Sequence, residues 1–194
     1  QTLDVRFRKT TWRRVNELDW RRDGRVLAAA SNDHTIRLVE ALDPPDESSP
    51  GRAPEEWEEI GVIPTLGFAQ TVRFHRLDPD MRLYSSDDRS FRYWFDPQRE
   101  SYRVSLPSRL HALDPHPTLP VLATLDDEGL VRLLDTERLG TEIVANGNLQ
   151  PTVLRFGESG DRVYIGTTDG RIRILRFRAD LSARQALAPW MSAQ

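Results

Sequence analysis

The chain has 194 residues, 38% apolar and 29% charged, with a net charge of −3, the make-up of a water-soluble globular protein of one sizeable domain or two small ones. Cysteine is absent, which excludes disulfides, thiolate metal sites and cysteine nucleophiles. No apolar run is long enough to cross a bilayer, no signal peptide is present, and the acidic balance gives no whole-chain attraction for nucleic acid, so cytoplasmic residence is expected; the opening glutamine leaves open that this is an excised piece.

In chain order, residues 2–9 carry Val5 and Phe7 and read as a first strand. Val15 to Trp20, Val26 to Ser31 and Thr35 to Leu38 follow, separated by RRDG at 21–24 and by Asn32-Asp33-His34. Each run has the length of a strand and is too short for a typical helix. Residues 42–56, LDPPDESSPGRAPEE, hold four prolines and almost nothing to bury, and read as a solvated loop. Further innermost strands are expected at 70–75, 109–114 and 152–157, and outer strands at 57–63, 101–106 and 139–146. Residues 180–188 are expected to form a short helix capped by Asp180 or Ser182 and stopped by Pro189.

One segment recurs four times: SNDHTIRLV at 31–39, SDDRSFRYW at 86–94, DDEGLVRLL at 126–134 and TTDGRIRIL at 167–175. Arginine holds the same slot in each, at Arg37, Arg92, Arg132 and Arg173. Asp33 to Asp88 spans 55 residues, Asp88 to Glu128 spans 40, and Glu128 to Asp169 spans 41. The proline-rich loop accounts for the longer first interval, and the underlying period is about 40 residues, the signature of a modular architecture.

This period, the four strands per unit and the run Ser31-Asn32-Asp33-His34-Thr35-Ile36-Arg37-Leu38 resemble the WD-repeat β-propeller family, as does Gly160 to Gly170. The resemblance covers residues 2–177. It implies an all-β fold, a β-propeller of four-stranded antiparallel blades with four repeats at about 10–63, 64–106, 107–146 and 147–177, residues 2–9 as an outer strand, and 178–194 as a tail. The copies depart from the family pattern. Its Trp-Asp pair would fall at Val39-Glu40, Trp94-Phe95, Leu134-Asp135 and Leu175-Arg176, where only Trp94 and Asp135 match, and its Gly-His pair is missing. The aspartates Asp33, Asp88 and Asp169 are then expected to bond the backbone of their own turns. Family rings usually hold seven blades or so, so the chain is read as a fragment, a split propeller or a closed four-blade ring.

The resemblance implies a protein-interaction scaffold or sensor module in a larger assembly, non-enzymatic and without a cofactor or metal. Its partners would be another protein, or further blades completing the ring, which a homo-oligomer would also supply. The face shared by second-to-third-strand turns and blade connections gives the candidate contacts Trp12, Arg13, Arg14, His34, Asp87, Arg89, Glu128 and Arg171. Tryptophan and arginine are enriched at binding hot spots. The repeated arginines are expected to be structural, with stems on apolar surface and heads paired to carboxylates. The alternative is a propeller hydrolase with a channel-facing site among Glu17, Asp19, His75, His111 and Asp114. A third reading, a nucleic-acid surface at Arg8, Lys9, Arg13 and Arg14, is opposed by the net charge. Asp126-Asp127-Glu128 lacks the oxygen ligands of a dedicated calcium loop and reads as a solvated turn. GESG at 157–160 reads as a plain turn, and His116, between two prolines, as a loop residue.

Overall fold

The computed structural model describes residues 13–42, 57–76, 82–88, 90–96, 100–105, 108–136, 141–145 and 150–176. The expected strand at 2–9, the expected helix at 180–188, and residues 43–56 of the loop lie outside them. The strands are β1 (Val15–Trp20), β2 (Val26–Ser31), β3 (Thr35–Ala41), β4 (Trp57–Pro64), β5 (Thr71–Phe74), β6 (Leu83–Ser86), β7 (Ser90–Asp96), β8 (Glu100–Ser105), β9 (Leu110–Pro115), β10 (Val121–Asp126), β11 (Val131–Asp135), β12 (Thr141–Ala145), β13 (Pro151–Phe156), β14 (Arg162–Thr167) and β15 (Ile172–Arg176). No helix occurs among the described residues.

The strands form four antiparallel meanders: β1-β2-β3-β4, β5-β6-β7-β8, β9-β10-β11-β12 and β13-β14-β15. The first strands of the sheets lie side by side, β1 against β5, β5 against β9 and β9 against β13. Sheets that meet along their first strands and fan outward are propeller blades, so the expected all-β propeller architecture holds. In the first, third and fourth sheets the register slips at the start of the inner strand, between Val15 and Glu17, Leu110 and Ala112, and Pro151 and Val153. A bulge there bends the strand at the same end of each of these sheets.

Alternation along the strands sends one set of side chains to each neighbouring sheet. Between the first and second sheets lie Val26, Ala28, Ile36, Leu38, Val72 and Phe74. Tyr84, Phe91 and Tyr93 meet Leu113, Leu122 and Leu134 between the second and third. Ala123, Leu125 and Val131 meet Leu154, Val163 and Ile165 between the third and fourth. Every residue of β5, β6, β10 and β11 is buried, because these sheets are covered on both faces, whereas β15 is mostly exposed.

His116 corrects the sequence reading. It does lie in the turn after β9, but it is buried and joins two sheets. Its Nε2–H donates to Gly160 O across the third junction at 3.1 Å, and its Nδ1 accepts from the N–H groups of Thr118 and Leu119, both at 3.0 Å. The ring is therefore neutral with the proton on Nε2, and burial holds its pKa below the ordinary histidine value. The GESG segment is a turn, as expected, and its last glycine touches this ring.

Gly160 and Gly170 both have left-handed backbone, with φ of 76° and 77°. A Cβ on Gly170 would meet open space, while one on Gly160 would collide with the His116 ring. Gly170→Ala is expected to cost about 1 kcal/mol, the left-handed penalty alone, and Gly160→Ala at least about twice that. Urea denaturation of the two variants makes the comparison, and equal costs would show that the His116 contact contributes nothing.

Candidate functional site

The inner strands place one ionisable side chain at the same position in each sheet: Asp19 on β1, Arg73 on β5, Asp114 on β9 and Arg155 on β13. The equivalence follows from the registers Asp19↔Ala28, Arg73↔Tyr84, Asp114↔Ala123 and Arg155↔Tyr164. Acid and base alternate around the arc. Each aspartate accepts a backbone N–H of the next sheet, Asp19 from Phe74 and Asp114 from Phe156, both at 2.8 Å. Glu17 adds a third such bond, accepting from Val72 N–H at 3.0 Å, and pairs with Arg73. Asp114 Oδ1 lies 3.6 Å from Arg73, 3.6 Å from Arg76 and 3.8 Å from Arg155. Arg155 also reaches back across the arc to Glu17, at 3.5 Å. Sequence reasoning selected Glu17, Asp19 and Asp114 but missed Arg73 and Arg155, which aligning the inner strands one residue before Trp20, Phe74, Pro115 and Phe156 exposes.

These pairs change the chemistry of the acids. Burial raises the pKa of Glu17, opposed by Arg73 and by the Val72 N–H, and raises that of Asp114, opposed by the Phe156 N–H and Arg155. Both are committed to joining sheets. The other channel candidates lie apart: His75 lies tilted against Tyr84 with ring centroids 5.6 Å apart, and His111 pairs with Asp127 at 3.1 Å. Among the described residues no three His, Asp or Glu groups converge as a metal site.

Three of the repeated arginines face carboxylates, as expected of that slot. Arg37 bonds Asp33 and Glu59, each at 3.1 Å. Arg92 lies 3.8 Å from Asp87, and Arg132 pairs with Asp126. Asp33 and Asp169 also bond the backbone of their own turns, at the N–H groups of Thr35 and Arg171. Trp94 Nε1–H donates to Ser85 Oγ at 2.9 Å, with Arg92 lying over its ring. Within Asp126-Asp127-Glu128, Asp126 is buried against Arg132 and Ser108, so only the other two acids of this expected solvated turn face solvent.

Recurrent backbone bonds put the second turn of a sheet beside the start of its inner strand. Asn32 N–H donates to Arg14 O, Asp127 N–H to Arg109 O, and Thr168 N–H to Gln150 O. One end of the arc thus gathers Arg13, Arg14, His34, Glu128 and Arg171, all exposed. His34 has left-handed backbone at φ 66°, and its ring meets Phe68 edge-on at 5.0 Å. Arg109, which sequence reasoning missed, joins this end and bonds Gln70 at 2.6 Å. Asp87 is buried, accepting from Ser90 Oγ at 2.6 Å, so its carboxylate holds its turn. Trp12 and Arg89 lie outside the described residues. The opposite end opens into a cavity of about 680 Å³ bordered by Trp20, Arg22, Phe74, His75, Arg76 and Thr118.

A carboxyl whose pKa is higher in the folded chain binds protons more readily there than in the unfolded chain. Its contribution to stability is therefore greatest in acid and declines as pH rises through the raised value. Asp114→Asn keeps an oxygen for the Phe156 N–H but cannot ionise. Its stability relative to the parent chain is expected to climb from about pH 4 upward. Urea unfolding at stepped pH measures this, and a difference independent of pH would contradict it.

Residues 6–40 match the family model described as WD domain, G-beta repeat. No curated protein matches the chain in sequence. Among solved structures, it is similar to the β-propeller domain of Myceliophteria thermophila Cps50 (Swd1), with a TM-score of 0.65 and 18% identity over 87% of this chain and 54% of that one. It thus spans about half the length of that domain. It is also similar to the computationally designed Ika4 protein, with a TM-score of 0.65 and 14% identity over 87% of this chain and 94% of that one. The chain thus carries a match to one WD repeat over residues 6–40 and has propeller architecture throughout the described sheets.

Proposed function

We propose that the chain is a non-enzymatic protein-interaction scaffold or sensor module of a larger cytoplasmic assembly. Its partner docks on the end of the arc that carries Arg14, His34, Glu128 and Arg171. One observation carries this reading: the charged groups of the inner strands and of Arg37, Arg92 and Arg132 are engaged in joining strands and sheets, whereas these turn side chains project from hydrogen-bonded turns into solvent. Exposed polar groups on rigid turns are the usual site of recognition in such scaffolds. Trp12 and Arg89 extend the same surface in the sequence reading. The family resemblance supports a protein as partner. The hydrolase reading has less support, because Glu17 and Asp114 are the acids it needs and both are held by arginines.

The test is quantitative binding to a partner recovered with the intact chain as bait. Arg14→Glu and Arg171→Glu are each expected to weaken that binding about tenfold or more, as for hot-spot arginines, with the melting temperature unchanged. His34→Gly is expected to keep stability within about 1 kcal/mol, since relief of left-handed strain offsets loss of the Phe68 contact, and to weaken binding as well. Unchanged affinity in all three variants would remove this surface from consideration.

A further inference from the structure

We infer that two copies of this chain join head to tail, the fourth sheet of each packing on the first sheet of the other, to close one ring. The junction between the second and third sheets is the template. There the face of the second sheet presents Arg73, Tyr84, Phe91 and Tyr93, and the third sheet receives it with Leu113 and Leu122, while Asp114 on the inner strand comes within 3.6 Å of Arg73. The strand registers assign the counterparts. Arg73↔Tyr84↔Tyr93 corresponds to Arg155↔Tyr164↔Ile174, and Ser86↔Phe91 to Gly166↔Ile172. On the receiving side, Leu113, Asp114 and Leu122 correspond to Leu18, Asp19 and Leu27.

The counterparts have the chemistry of a junction without its cover. Tyr93 is 4% exposed and Ile174 is 53%; Leu113 is fully buried and Leu18 is 54% exposed. Ile172 is 73% exposed, and Trp20 flanks Leu18 on the receiving face at 47%. Exposed apolar surface of this kind marks an interaction site. Charge selects the occupant. Arg155 on the fourth sheet calls for an acid at the matching position of the next sheet, as Arg73 finds Asp114, and the first sheet of this chain carries one in Asp19. The order acid, base, acid, base then continues through both new junctions without two like charges meeting. Two sets of four sheets fall within the usual range of roughly four to eight blades, and three sets exceed it. A head-to-tail contact whose rotation closes gives a ring.

This inference does not rest on the turn surface proposed above, and the same preparation separates the two. Sedimentation of the 194-residue chain is expected to give twice its mass of 22.3 kDa. Ile174→Glu, with Ile172→Glu as a second variant, and Leu18→Glu are each expected to halve that mass while circular dichroism is unchanged, since these side chains lie on open faces. Mixing Ile174→Glu with Leu18→Glu restores the double mass, because one junction of the mixed pair is intact. Arg14→Glu leaves the mass unchanged whatever it does to partner binding. A parent chain that sediments as a single copy would overturn the inference, leaving both faces to a different chain. So would a dimer that only one class of substitution breaks, which is the behaviour of a face packing on its own copy.

Discussion

Carboxylates at the convergence of the inner strands are the constraint on which this structure turns. Where sheets meet near the axis, water is scarce, and a charged side chain must find a partner or neutralise. Asp19, Glu17 and Asp114 each take a backbone N–H from the sheet that follows, and Arg73 and Arg155 supply the balancing charge. Such buried pairs add little net stability over well-packed apolar residues, because desolvation offsets the attraction. Their consequence is geometric. A bond from a side chain of one sheet to a particular amide of the next fixes how far the two sheets slide past each other. The apolar junctions supply most of the burial energy but tolerate small shifts, while the ionic line along the inner strands does not.

The same economy of charge separates structure from recognition. Arginines at the repeated slot lie within the sheets, and their partners are the turn acids of the same hairpin. They hold the shape of the second-to-third-strand turns. The side chains that project from those turns are then free to differ between sheets without cost to the frame. His34 and Gly170 occupy corresponding places, one bearing a ring set against Phe68 and the other bearing nothing. A frame held by buried ions and a surface varied at its turns is consistent with the general role of WD-repeat propellers as protein-interaction scaffolds.

Within the hairpins, the sequence was a good guide. Alternating short runs gave the strands, the recurring segment gave the sheets, and the structural role of the arginine slot followed from its fixed place. What lay between sheets was hidden. Asp114 and Phe156 are 42 residues apart, His116 and Gly160 are 44, and Glu17 and Arg73 are 56. No local pattern marks such pairs. His116 looked like a loop residue because its neighbours are prolines, and its buried role depends on a turn from the following sheet. Asp87 looked like a surface acid because it sits in a turn, and its burial depends on Ser90 closing over it.

The acid–base alternation along the inner strands also bears on how such an array can change its length. Deleting an inner module, or duplicating any one, would set two arginines or two aspartates against each other beside the axis. Deleting or duplicating a pair would leave every contact matched. A pair of neighbouring modules is therefore the unit whose gain or loss keeps every one of these contacts.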